Sequence, residues 1–169
     1  MLKQIKQNGN DDQQISALKA QDDAKTSRLR KFSQYNQLSF KLSDIKQLEN
    51  VHEVKYNEGT SYVGELKNRK KHGKGRLTDP NGSVYQGDFH NDKIEGFGVF
   101  KGQDGTEYRG EWKNGMQHGL GRELWTDGSY YEGTYKMGLK HGKGFYQWAD
   151  GSSFDGDWDA GNINGYVGL

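Results

Sequence analysis

The chain has 169 residues, no cysteine, and 24 Lys and Arg against 23 Asp and Glu, for a net charge of +1. These figures exclude disulfides and thiolate metal sites and argue against a polycation selected for nucleic acid. No apolar run approaches the length of a membrane span, and Met1 to Asn10 lacks the apolar core of a secretory signal, so a cytoplasmic protein is expected.

Glycine and aromatic residues divide the chain. Of 25 glycines, 24 lie at or after Gly59, and 18 of 21 aromatics lie at or after Tyr56, which separates an N-terminal arm (1–50) from a second domain (51–169). Residues 1 to 28 are rich in Gln, Asp and Lys with scattered Ile5, Ile15 and Leu18, too few to support a core, and read as disordered unless a partner orders them. From Leu29, apolar or aromatic residues fall at 29, 32, 35, 38, 42, 45 and 48, a helical spacing. A short amphipathic helix is expected between Ser43 and Val51, with Ser43 as its cap.

Beyond the arm, Tyr62, Tyr85, Tyr108, Tyr131 and Phe154 recur every 23 residues without insertion. Gly64, Gly87, Gly110, Gly133 and Gly156 follow two positions later, and Leu66, Phe89, Trp112, Tyr135 and Trp158 two after those. A fixed period of this length marks a unit that buries its apolar face only by stacking on its neighbours. Within a unit, "YRGEWK" alternates as a half-solvated strand, and "NG" at 114–115 is the signal of a type I′ hairpin turn. The returning strand, about Gly119 to Trp125, places Gly119 and Gly121 on one face, a flat floor for a neighbouring ring. "TDGS" turns the chain into the next hairpin. "VKYNEGTS", in the register of a half repeat, supplies an edge strand. The last unit has Val167 where a second glycine should be, which fits either a capping unit or a fragment.

"YRGEWKNGMQHGLG" and "YEGTYKMGLKHGKG" resemble MORN repeats: Tyr-x-Gly-x-aromatic, a short turn, Gly-x-Gly and a closing Asp-Gly. The resemblance covers five registers, about residues 62 to 165. It implies an all-β fold, an elongated single-layer twisted antiparallel sheet of repeated β-hairpins, preceded here by a mostly polar, partly helical arm. Members of that family occur in ciliary axonemes, at membrane junctions, and ahead of lipid kinase or methyltransferase domains.

No catalytic, cofactor or metal residue is expected. His72, His118 and His141 share a column with Glu95 and Asn164, but copies 23 residues apart lie about 10 Å apart, too far to share a metal. The acidic column Glu65, Asp88, Glu111 and Asp157 repeats as architecture does. "GKG" at 73–75 and 142–144 lacks the strand-loop-helix context of a phosphate loop. Ser83, Ser129 and Ser152 sit in turns without a positioned base.

What remains is binding by shape. Tyr62, Tyr85, Tyr108, Trp112, Trp125, Tyr131, Trp148, Phe154 and Trp158 are expected to line a face suited to an extended peptide or helix of another protein. The expected function is a non-catalytic scaffold in a cytoskeletal assembly, foremost the ciliary axoneme. Two alternatives stand beside it. One is a peripheral membrane tether binding anionic lipid through "KNRKKHGKGR", that is Lys67, Arg69, Lys70, Lys71, Lys74 and Arg76. The other is the accessory repeat region of a larger enzyme.

Overall fold

The computed structural model describes residues 41–165 without a break and, upstream, ten residues between 16 and 33, all of them helical and exposed. The stripe positions 29, 32, 35 and 38 lie outside the described residues, as does Val167. The chain divides into two compact units, Met1–Gln37 and Leu38–Leu169.

In the second unit the expected short helix forms as α1 (Leu42–Ile45), one residue ahead of Ser43 and only a turn long. Its start is held by the Asp44 carboxylate, which accepts the Lys41 N–H at 2.6 Å, so Ser43 is not the cap. Asn50, at φ 59°, turns the chain into the first strand. Ile45 is fully buried and anchors the helix beside the sheet.

Eleven antiparallel strands follow in simple sequence order as one open sheet. They are β1 (Val51–Lys55), β2 (Ser61–Lys67), β3 (Lys70–Thr78), β4 (Val84–His90), β5 (Lys93–Lys101), β6 (Glu107–Lys113), β7 (Met116–Leu124), β8 (Tyr130–Lys136), β9 (Leu139–Gln147), β10 (Ser153–Asp159) and β11 (Asn162–Asn164). An edge strand forms as β1, but it shares only Val54 and Lys55 with "VKYNEGTS", whose remaining residues make the turn into β2. Successive strands are about 4.8 Å apart, so ten spacings make a sheet about 50 Å wide.

Two kinds of turn alternate. At one end of the strands, 68–69, 91–92, 114–115, 137–138 and 160–161 each place two consecutive residues at positive φ, as a type I′ turn requires. Each of the later four is tied to the preceding hairpin by one backbone bond of 2.9 Å, such as Gly115 N–H to the Ile94 carbonyl. At the other end, five-residue turns close between Trp125 and Ser129 and at the four equivalent places. In four of them an Asn or Asp side chain accepts the N–H two residues on: Asn81, Asp104, Asp127 and Asp150.

Candidate partner-binding face

Strand register sorts the side chains into rows. Tyr62, Leu77, Tyr85, Phe100, Tyr108, Glu123, Tyr131, Tyr146 and Phe154 stand opposite one another across nine strands. Beside them runs an unbroken glycine row, Gly64, Gly75, Gly87, Gly98, Gly110, Gly121, Gly133, Gly144 and Gly156. Each repeat tyrosine lies down across two glycines of that row: a Cβ on Gly75 would stand 2.5 Å from Tyr62 Cε2. The hydroxyl at the far end of the ring donates to the carbonyl three residues on, Glu65 for Tyr62 at 2.8 Å, then Asp88, Glu111 and Thr134, each at 3.0 Å. The ring thus spans the glycine floor and satisfies its one polar atom.

The rings also meet each other. Tyr62, Phe89, Tyr85, Trp112, Tyr108, Tyr135, Tyr131, Trp158 and Phe154 form a continuous chain of edge-to-face contacts with centroids 5.1 to 5.8 Å apart. The Trp112 and Trp158 indoles each donate to a carbonyl of the glycine row, Gly98 at 3.2 Å and Gly144 at 3.1 Å. Burial pushes the Tyr62, Tyr85 and Tyr135 phenols above the ordinary range, and the nearby carboxylates of Glu65, Asp88 and Glu123 push the same way.

This packing corrects part of the expected binding face. Tyr62, Tyr85, Tyr108, Tyr131 and Trp158 are buried, at most 7 % exposed, because they lie on glycine and on one another. They are the floor of the face rather than its contact surface. Trp112, Trp125 and Phe154 are half-buried and Trp148 is 38 % exposed, so these four do reach solvent. With them stand residues not assigned to the face from the sequence: Tyr56, Leu66, Leu77, Ile94, Phe100 and Tyr146, each half-buried against the ring clusters. For Leu77, Ile94, Phe100 and Tyr146 the signal was available in the same 23-residue columns, read along the returning strand.

The opposite face is mixed and charged. Its central row is Val63, Arg76, Gln86, Val99, Arg109, Arg122, Glu132, Phe145 and Asp155, with pairs such as Arg122–Glu132 at 3.3 Å and Lys101–Glu107 at 3.0 Å. Helix α1 belongs to this side: Lys46, just after it, pairs at 2.9 Å with Glu53, which stands opposite Val63. Ile45 joins neither ring cluster.

The basic stretch does not form one patch, because alternate strand residues point to opposite faces. Lys67, Arg69 and Lys70 are exposed at the turn. Lys71 crosses to the ring face, over Tyr56 at 5.0 Å and Tyr62 at 5.8 Å. Lys74 pairs with Asp88 at 2.5 Å, and Arg76 donates to Gln86 at 3.3 Å. The acidic column is structural: Glu65, Asp88 and Glu111 accept the N–H of Lys74, Phe97 and Leu120, where the register shifts leave these donors free of the ladder. Among the histidines, His141 pairs with Asp159 at 3.2 Å, and the His72 and His90 rings meet at a tilt of 47° with centroids 4.9 Å apart. Among the described residues no three His, Cys, Asp or Glu side chains are grouped to hold a metal. No helix among the described residues is long and apolar enough to cross a membrane.

Fold and face together define a repeat protein of stacked hairpins, apolar on one side of a single layer and polar on the other. The family model "MORN repeat" matches residues 62–84, 85–107, 108–130 and 131–153, more than half of the chain, and the chain belongs to the MORN-repeat family. MORN repeats are non-catalytic units that serve in protein and membrane interactions. The fifth register read from the sequence begins after the last matched unit and is built by β10 and β11. Comparison with curated proteins gives no match.

Proposed function

We propose that this chain is a non-catalytic scaffold that binds a segment of another protein along its ring face, within a cytoskeletal assembly of the cytoplasm, the ciliary axoneme first among them. The observation that supports the reading is the one-sidedness of the layer. Leu77, Phe100, Trp112, Trp125, Tyr146, Trp148 and Phe154 present half-exposed apolar surface on a side that α1 leaves uncovered, and rigid aromatic rings lose little entropy on binding. An extended strand or an amphipathic helix fits a shallow stripe of this kind. The cellular setting is proposed from the family resemblance alone.

The second reading, a membrane tether, is supported by the exposed cations Lys67, Arg69 and Lys70. Phe100→Ser with Trp125→Ser and Trp148→Ser removes reachable rings while leaving the buried tyrosines in place. It is compared with Lys67→Glu, Arg69→Glu and Lys70→Glu in capture from ciliated-cell extract and in flotation with anionic vesicles. The scaffold reading expects the ring variant to lose its partner and the charge variant to keep it. Retained capture by the ring variant, with loss of flotation by the charge variant, sinks that reading in favour of the tether.

A further inference from the structure

A near-zero net charge hides a strong asymmetry between the two ends of the strands. The type I′ rim (67–70, 90–93, 113–116, 136–139 and 159–162) carries the cations Lys67, Arg69, Lys70, Lys93, Lys113 and Lys136, against the carboxylates Asp92 and Asp159. Lys67, Arg69, Lys70, Lys113 and Lys136 make no ion pair among the described residues. The other rim, counted to the strand ends in the same way (55–61, 78–84, 101–107, 124–130 and 147–153), carries Glu58, Asp79, Asp104, Glu107, Asp127 and Asp150 against Lys55 and Lys101.

Both rims also expose apolar side chains in the C-terminal half of the sheet. On the cationic rim, Met116, Met137 and Leu139 are 40 %, 65 % and 50 % exposed. Met137 holds φ +52° at a turn position filled by Asn68, Asn91 and Asn114 in earlier hairpins. An unbranched apolar residue is strained there by about 1 kcal/mol and gains nothing from its own chain. On the acidic rim, Leu124 and Trp148 are 40 % and 38 % exposed. Because both sets of turns belong to the same hairpins, both rims repeat at the same spacing of about 10 Å.

We propose that the cationic rim of one molecule docks on the acidic rim of a second copy, charge against charge and Met137 and Leu139 against the Leu124–Trp148 end. A lipid surface would engage the cationic rim alone and leave the charge of the acidic rim uncompensated. A second copy uses both rims at once. The contact is heterologous, so it extends into an open row of sheets rather than closing as a dimer. Each rim is about 50 Å by 10 Å, roughly 500 Å² and below the about 800 Å² per partner of a standard interface, so the association is weak and steered by charge.

Sedimentation velocity of the full chain over about 1 to 200 μM, at about 50 and 500 mM salt, tests it. Concentration-dependent growth at low salt that disappears at high salt is expected. Asp104→Asn with Asp127→Asn and Asp150→Asn keeps the turn acceptors, as Asn81 already does, and should weaken association about tenfold. Arg69→Glu with Lys70→Glu and Lys93→Glu should abolish self-association yet still bind wild type through its intact acidic rim, capping the rows instead of extending them. Met137→Asn should weaken association while leaving the melting temperature unchanged or raised, which separates docking from folding. A wild-type monomer throughout the range, or association indifferent to both sets of charge changes, overturns the proposal. A monomer that floats with phosphatidylcholine–phosphatidylserine vesicles does so too, and gives the cationic rim to a membrane instead.

Discussion

At the scale of single residues, the fold depends on what glycine lacks. Gly121 sits in the ladder between Gly110 and Gly133, and a Cβ there would meet Tyr108 Cε2 at 2.5 Å and Cζ at 2.6 Å. Tyr108 cannot lift away without losing its bond to Glu111 and its edge contacts with Trp112 and Tyr135. Gly121→Ala should therefore destabilise by about 2 kcal/mol or more, as overpacking of a rigid core does. Gly128 separates this effect from backbone freedom: it holds φ +86° with open space around it, so Gly128→Ala should cost only the left-handed penalty of about 1 kcal/mol. Chemical denaturation of the two variants checks the order, and equal losses would show that the glycine row has no packing role. Phe154 shows the same site without the hydroxyl, in the last and most exposed unit, so its ring keeps the contact with Trp158 but donates no bond.

At the scale of the element, the turns show what the sequence reveals and what it conceals. Asn114-Gly115 announces its hairpin, because both residues tolerate positive φ. Asn68-Arg69, Met137-Gly138 and Ala160-Gly161 adopt the same turn, recognisable in the sequence only by their place 23 residues along. Local chemistry alone would miss Met137, since the bonds between successive hairpins hold it there. Met137→Asn should raise stability by about 0.5 to 1 kcal/mol, read as a higher denaturant midpoint with an unchanged slope. The opposite turns predict a pH response. Ser or Thr hydroxyls and backbone N–H groups donate to Asp104, Asp127 and Asp150 and hold these carboxyls below the usual aspartate range. A carboxyl depressed by folding adds stability that is complete above its unfolded value and lost as pH falls through the folded one. The melting temperature should thus drop as pH is lowered from about 4 toward 2, and the triple Asn variant should show a shallower drop. An unchanged acid slope would mean that the turn bonds persist in the unfolded chain.

At the scale of the whole sheet, period and topology were legible and the accessible surface was not. The 23-residue columns announce hairpins and their order, because every unit repeats one local pattern. Burial depends on contacts between units: Tyr85 is hidden by Phe89 of its own hairpin and Trp112 of the next. The glycine floor was legible within one repeat, but not that the repeat tyrosine is buried on it while Phe100 and Tyr146 remain reachable. The same contacts make the sheet modular, which an excision can test. Removing 85–107 joins Val84 to Tyr108, and Val84 already stands where Glu107 does, opposite Thr78 as Glu107 stands opposite Lys101. Tyr62 would then meet Trp112 in place of Phe89, and the Lys71 carbonyl would accept from Gly115 in place of Asp92. Every interface is regenerated one unit shorter, so the variant should unfold in one cooperative transition with lower stability, in a sheet narrower by about 10 Å. Removing 85–106 instead slips the alternation by one and turns the following rings to the charged face. That variant should lose its strand signal in circular dichroism while the 23-residue excision keeps it. If both fold equally well, the ring chain does not set the register and the packing argued for the face is wrong.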